Sequence, residues 1–433
     1  MTINYISIKK LHGFKDVFVD FNSDLTLLVG KNGSGKTTVL NILSSILTGQ
    51  LAPLLKYEFE IVYIEYYEGE LYRTISLENF NGSYIISGET GTHEVEKLDL
   101  RNQHLHSKTS SAFLLGRKNE SSDLTNFEPI KSLKKACPTY FLSLTRDIHK
   151  NQTEYSTSSR PVSNLDESIK HVNELATIKY HEIISKSERY NREMRNEIFQ
   201  AMFSYDTQNY ISPKKVRGFP KDDEIKKLSN ALREIGLDSE AFERFVNLMN
   251  KDMKSVLDNP DDQFNEKERK IQARLVANMS QYFKIKSLSE IAEKKNQKKI
   301  DANKPITTFL ETVNSFLVDS GKSIFLRTED KLGLFFKLLD PQSKDKYFEL
   351  SKLSSGEKQL VIFFAYLIFQ KDNNDGSTFI IDEPELSLHL HWQQRFCKAA
   401  LSIAPNNQFI FATHSPEIIG PFREKCKPLG KEI

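Results

Sequence analysis

LTLLVGKNGSGKTT, residues 25–38, is the stretch on which the reading of the chain turns. Leu25–Val29 is a short apolar, partly β-branched run that stops at a glycine, which predicts a buried strand. Gly30-Lys31-Asn32-Gly33-Ser34-Gly35-Lys36-Thr37 is a full match to G-x-x-x-x-G-K-S/T. Val39, Leu40, Ile42, Leu43, Ile46 and Leu47 then recur at helical spacing. Strand, loop and helix are the setting in which this motif cradles phosphate. Glycines let backbone N–H groups turn inward around an anion, and the helix adds the positive end of its dipole. Gly30, Asn32, Gly33, Ser34, Gly35, Lys36, Thr37 and Thr38 are therefore the candidate triphosphate cradle. Lys36 is placed to neutralise the β- and γ-phosphates, and Thr37 to put a hydroxyl on Mg²⁺. The bland alternative, a glycine-rich turn at a strand-to-helix joint, explains neither the lysine nor the threonine.

Working outward, 433 residues are enough for more than one domain and a large core. A net charge of +2 demands neither nucleic acid nor an acidic partner, so any nucleic-acid surface has to be a local patch. No apolar run approaches the roughly 20 residues that cross a bilayer. MTINYISIKK lacks the features of a signal peptide, so a cytoplasmic protein without membrane contact is expected. Cys137, Cys397 and Cys426 are odd in number and far apart, which argues against a disulfide framework or zinc site and for small buried residues.

Before the phosphate loop, residues 3–8 and 17–21 alternate as paired strands joined near Gly13. After it, Phe59–Tyr67 and Leu71–Leu77 predict a hairpin across Glu68-Gly69, with a further strand at Tyr84–Ile86. Residues 88–130 are polar and predict a loop, and Thr139–Leu144 a buried strand ending in Thr145-Arg146-Asp147. From about 150 to 304 the chain turns lysine- and glutamate-rich with helical periodicity, over Leu165–Phe203, Lys221–Ile235, Ser239–Leu257 and Glu266–Lys286. Lys294, Lys295, Lys298 and Lys299 form a short basic cluster there, read as a solvated helix face in preference to a nucleic-acid contact because Glu290 and Glu293 adjoin it. After Pro305 a helix over Thr307–Phe316 leads to strands at Ser323–Arg327, Leu332–Leu338 and Tyr347–Leu350. An apolar helix at Leu360–Phe369, a strand at Thr378–Ile381, a helix at His391–Ala400 and a strand at Gln408–Ala412 follow.

The strand TFIIDE delivers two carboxylates at its end. Asp382 is placed to hold Mg²⁺, and Glu383 to position the attacking water. Taken with the phosphate loop, LSSGE at residues 353–357 and His414 one strand later, the chain resembles the ABC-type ATPases of the RecF/SMC branch, including the OLD-like ATPases of bacterial defence. The resemblance covers about residues 1–147 and 320–420. It implies an α/β fold, an ABC-type P-loop ATPase head with a helical insertion. The head's N-terminal lobe is expected at 1–147, the insertion at 148–304 and the C-terminal lobe at 305–433. It also implies ATP and Mg²⁺, a homodimer or higher oligomer through ATP-sandwiched heads, Ser354 and Gly356 reaching the partner's γ-phosphate, and His414 sensing that phosphate. Ser355 departs from the usual glycine. LSSGEKQ also reads as a plain helix start, capped by Ser354 or Ser355, and His414 alone as a core histidine.

Glu383-Pro384-Glu385 with Leu388-His389 resembles the EPExxLH segment of OLD-like defence ATPases. With Ile433 the last residue after the head motifs, the Toprim nuclease that OLD proteins carry is not expected within these 433 residues. The resemblance to Septu-type (PtuA) and PARIS-type (AriA) antiphage ATPases implies instead a separately encoded nuclease effector. The alternative is a stand-alone RecF/SMC-like DNA-repair or chromosome-organising clamp, with nucleic acid as a partner. A transporter ATPase is disfavoured by the long insertion and by the want of a clear Q-loop, Arg146 and Asp147 being the residues in the comparable place.

Overall fold

In a computed structural model of the chain, the residues described are 2–89, 91–97, 99–100, 139–142, 148–149, 164–203, 222–234, 239–257, 266–340, 342, 346–369 and 376–429. Two strands, β1 (Thr2–Leu11) and β2 (Lys15–Asp20), pair antiparallel and lead into β3 (Leu25–Val29), the phosphate loop and α1 (Lys36–Thr48). β4 (Ile61–Glu68), β5 (Leu71–Asn79), β6 (Ser83–Gly88) and β7 (Gly91–Glu96) extend that antiparallel sheet in the order β2-β1-β4-β5-β6-β7. Alternation fixes its two faces: Val62, Ile64, Ile75 and Leu77 are buried, while Tyr63 and Tyr72 face outward.

β7 is a finding against the expected loop at 88–130. GTHEVE buries only Val95, so its pattern is polar, yet it pairs along its whole length with β6 at the sheet edge. An edge strand needs one buried side chain and its ladder, not an apolar run. Residues 101–138, which carry the rest of that expected loop, and Ser143–Asp147 with the weak Q-loop candidate lie outside the described residues.

The second sheet is built from β8 (Thr139–Leu142), β9 (Ile148–His149), β13 (Thr378–Asp382), β14 (Gln408–Ala412) and β15 (Cys426–Pro428), in the order β15-β3-β14-β13-β8-β9. All its pairs are parallel except β8 with β9. TFIID and QFIFA are buried at every position, as strands covered on both faces must be. On one face Val39, Leu40 and Leu43 of α1 share a core with Ile6 and Ile8 of β1 and with Leu28, Ile380 and Ile410.

Long helices supply the middle of the chain: α2 (Asn164–Phe203), α3 (Asp222–Glu234), α4 (Ser239–Leu257) and α5 (Glu266–Leu317). β10 (Lys322–Arg327), β11 (Gly333–Leu338) and β12 (Tyr347–Glu349) follow as a small antiparallel sheet. Then come α6 (Ser355–Phe369) and, after β13, α7 (Leu390–Ile403). On the second face of the parallel sheet, Phe363 of α6 lies 4.6 Å from Phe396 of α7, which lies 6.0 Å from Phe411 of β14.

The chain divides into two compact units, Met1–Thr177 with Thr308–Ile433, and Ile178–Thr307. The second has its own core of Leu228, Leu232, Phe242, Val246, Met249, Met253, Leu275 and Met279. Arg274 donates to both oxygens of Asp252 at 2.8 and 2.5 Å within it. Lys295 is almost fully buried between Glu193 (2.8 Å) and Glu197 (2.7 Å), so one member of the basic cluster is an internal ion pair. α5 runs through Pro305 without a break, where the sequence predicted a separate helix over Thr307–Phe316. An interior proline costs about 3 kcal/mol. Beyond it the buried rings of Phe309 and Phe316 pack on Phe369 and Phe364 of α6 at 4.7 and 5.5 Å, which outweighs that cost. Cys397 is buried as expected and Cys426 is half-buried, while Cys137 falls outside the described residues. Among the described residues no helix is long and apolar enough to cross a membrane.

Candidate functional site

The carboxyl ends of β3, β14 and β13 lie side by side and carry, in that order, the phosphate loop, Thr413-His414 and Asp382-Glu383. Ligands of open parallel sheets bind at such ends.

Gly33 and Gly35 adopt φ values of +79° and +100°, open only to glycine at low cost, and turn the loop into the helix. Gly35 is the N-cap of α1 and offers no side-chain acceptor, and the first turn holds no acid. The first N–H groups of α1 are thus left for an anion. Ser34 Oγ is buried without a hydrogen-bond partner. Lys15, which the sequence reading passed over, donates from Nζ to Ser34 O at 2.8 Å and braces the loop from β2. Asn32 is exposed, and Thr37 and Thr38 are half-buried.

Lys36 is 6% exposed. Its Nζ donates to Gly30 O at 3.0 Å and lies 2.6 Å from His414 Nε2. An ammonium only donates, so Nε2 accepts and the ring proton sits on Nδ1. Burial holds the Lys36 ammonium below its ordinary pKa, against the pull of Asp382, Glu383 and Glu385.

Asp382 ends β13 at 4% exposure, with both carboxylate oxygens buried and no hydrogen-bond partner of normal geometry. Burial pushes its carboxyl up to about 6, the charges of Glu383 and Glu385 add to the rise, and the Thr37 hydroxyl and Lys36 offset part of it. Two orphaned carboxylate oxygens beside a threonine hydroxyl are a hard-oxygen donor set short of a cation. Mg²⁺ fits it, since that ion takes one or two carboxylates and completes its shell with phosphate and water. Glu383 next to it has φ of +52°, a left-handed conformation that costs a non-glycine residue roughly 1 kcal/mol. Its N–H donates to Ala412 O at 2.8 Å, which ties the strained residue to β14.

Two further side chains, to which the sequence reading gave no role, shape this end of the sheet. Glu385 accepts from Thr413 Oγ1 and from His414 N, both at 2.7 Å. Gln393 donates to Leu388 O at 2.9 Å and accepts from Ser415 Oγ at 2.6 Å. The only sequence signal for Glu385 was its place as the second acid of E-P-E.

LSSGE starts α6. Ser354 Oγ accepts from Glu357 N at 3.4 Å and Glu357 Oε2 accepts from Ser354 N at 2.8 Å, a capping box. The plain helix-start reading is thereby realised, and it leaves the other open, because Ser354 and Ser355 are both exposed. Gly356 is buried and faces its own chain: a Cβ there would stand 2.0 Å from Ser387 O. Glu357 is 3% exposed and takes both hydrogen bonds of Lys322 Nζ at 2.9 Å. Burial alone would raise its carboxyl, and Lys322, Ser354 N and Ser320 bring it below the usual range. The structure thus gathers Lys36, Thr37, Asp382 and His414 around one point, with Glu383 beside them. Ser354 and Gly356 make their contacts with Glu357 and Ser387 instead.

A family model described as AAA ATPase domain matches residues 1–419. Among solved structures, the chain is similar to an Smc head domain with an extended coiled coil bound to the C-terminal domain of ScpA from Pyrococcus furiosus. The identity is 14% over 97% of this chain and 91% of that one, with a TM-score of 0.42. An Smc head domain with a coiled coil and joint from Pyrococcus yayanosii is 14% identical over 97% and 93%, TM-score 0.38. An SmcHead bound to the C-winged helix domain of ScpA is 11% identical over 97% and 92%, TM-score 0.43.

Proposed function

The chain belongs to the AAA ATPase domain family and is an ATPase, and we propose that it hydrolyses ATP at a composite site closed by two heads. The observation that carries this reading is the convergence of Lys36, Thr37, Asp382 and His414 at adjacent strand ends, with Asp382 buried and unpaired. Thr37 and Asp382 would hold Mg²⁺, which when bound would supply positive charge against the charge developing on the transferred phosphate. Gly30, Asn32, Gly33, Ser34, Gly35, Lys36 and Thr38 bind the triphosphate. Lys36 moves from its own loop carbonyls and His414 to the phosphates, exchanging one set of acceptors for a more highly charged one. Glu383 orients the attacking water and takes its proton. His414, released by Lys36, turns Nε2 to the γ-phosphate. The exposed Ser354 at the start of α6, with the backbone at Gly356, completes the partner's site and makes ATP the adhesive between heads.

The larger role is a sensor and regulator in a bacterial antiphage defence complex, in the cytoplasm, holding or delivering a nuclease supplied in trans. The EPExxLH resemblance supports this, and here Glu383, Glu385 and Leu388 of that segment are all engaged around the strand ends. The repair-clamp reading calls for a continuous basic face on the insertion, and the burial of Lys295 in an ion pair takes away part of it. The test is native mass spectrometry of tagged protein purified with ATP from cells carrying its own genomic neighbourhood. A stoichiometric second protein bearing nuclease-type residues is the expected result. An ATP-dependent homodimer alone, retained on DNA, would overturn it in favour of the clamp.

A further inference from the structure

We propose that Glu385 is the positioning residue for His414, and that it sets the rate of hydrolysis by holding the Thr413–Ser415 turn. The inference rests on the reading of His414 as the γ-phosphate sensor.

The loop after β13 and the loop after β14 are separate pieces of chain, and one carboxylate crosses from the first to the second. Glu385 Oε2 accepts from Thr413 Oγ1 and Oε1 accepts from His414 N, each at 2.7 Å. Thr413 is fully buried, and its Oγ1 in turn accepts from Ser415 N at 3.1 Å. Glu385 thereby holds Thr413 and His414 directly and Ser415 through the Thr413 hydroxyl, with the histidine in the middle. Ser415 is held from its other side as well. Its Oγ donates to Gln393 Oε1 at 2.6 Å and caps the turn that begins at Pro416 by accepting from Glu417 N at 3.2 Å. Glu385 is itself set by backbone bonds, Leu386 N to Glu383 O and Leu388 N to Glu385 O.

A serine or asparagine could satisfy a buried threonine. A carboxylate is an expensive choice here, because it stands near Asp382 and Glu383 and raises the Asp382 carboxyl further. Its distinguishing property is two oxygens that both accept, matched to two donors on one turn. Charge-assisted bonds of this length restrict the His414 backbone, and the ring is then free only to rotate about its own side-chain bonds. That restriction places Nε2 2.6 Å from Lys36 Nζ. With the loop after β13 carrying both the hydrolytic Glu383 and Glu385, the water-orienting and phosphate-sensing groups are set by one segment.

The test is a double-mutant cycle on the full chain, with Glu385→Ala, His414→Ala and the double variant, followed by ATP binding, kcat and thermal midpoint. Glu385→Ala is expected to lower kcat on the order of 10–100-fold, as is usual when a group that orients a reacting one is removed. ATP affinity should change less than about threefold, which separates the effect from damage to the cradle. In the His414→Ala background the same change should have little further effect on kcat, because the two act as a unit. Glu385→Gln, which keeps an acceptor for His414 N but sets a donor against the Thr413 hydroxyl, should retain the fold and recover only part of the rate, and it stands in if the alanine variant folds poorly. Losses that multiply in the double variant, or Glu385→Ala at parental kcat while His414→Ala is impaired, overturn the proposal and leave the site reading intact. His414→Ala at parental kcat overturns both.

Discussion

Replacing Asp382 by asparagine should stabilise the nucleotide-free chain and abolish its response to Mg²⁺ and ATP. At pH 8 Asp382 is charged and 4% exposed, and the Thr37 hydroxyl and Lys36 offset only part of the cost of its burial. Its carboxyl is pushed from 3.8 up to about 6, a penalty of roughly 3 kcal/mol at about 1.4 kcal/mol per unit. An asparagine still buries an unpaired amide, so the recoverable part is nearer ~1–2 kcal/mol, a rise of a few degrees in Tm. The folded chain keeps this proton up to about pH 6, whereas the unfolded chain loses it near 3.8. The favourable contribution is therefore complete below 3.8 and is lost as pH rises through 6. The advantage of Asp382→Asn should accordingly be full at pH 8, shrink on titrating down through 6 and vanish near 4. The assay is thermal denaturation of nucleotide-stripped protein in a chelator across that range, repeated with Mg²⁺ and ATP. Parental protein should gain Tm on adding both, and the variant should not. A variant less stable than the parent at pH 8, or an advantage flat with pH, would refute the reasoning.

Lys36→Ala should eliminate ATP binding in a filter or calorimetric assay, since it removes the buried ammonium seated between Gly30 O and His414 Nε2. Gly356→Ala should lower Tm and hydrolysis together, because its methyl group meets Ser387 O at 2.0 Å and must displace the loop that carries Glu383. Lys322→Ala leaves Glu357 buried with only its Ser354 N–H and Ser320 contacts, and should cost roughly 2–4 kcal/mol in denaturant unfolding at neutral pH. That loss should diminish in acid, because a depressed carboxyl contributes stability above its unfolded pKa and loses it as pH falls through the folded one.

Much of the head was legible in the sequence because its signals are short-range. The strand at 25–29 and the strand at 408–412 begin and end where their apolar runs do. The glycines of the loop pointed to a backbone wrapped around an anion, and the chain turns there through left-handed conformations at Gly33 and Gly35. β7 was hidden because an edge strand with a single buried valine has no apolar alternation to read. The continuity of α5 was hidden because Pro305 is a local stop signal, overridden by aromatic packing from a helix some sixty residues on. The same limit explains the site. Lys36, Asp382 and Glu383 sit in recognisable local words, but the grip of Glu385 on His414 crosses between two loops that only the sheet order makes neighbours. The inward orientation of Gly356 is likewise a property of a tertiary contact, and its motif alone pointed outward.

Closure of two heads on ATP, and their parting when it is hydrolysed, can be followed by sedimentation of Glu383→Gln with Mg²⁺ and ATP. This variant should bind ATP, fail to turn it over and sediment as a stable dimer or higher oligomer, while the parental chain reverts to smaller species as ATP is consumed. Hydrolysis at the parental rate by Glu383→Gln, or a monomer at saturating ATP, would contradict it.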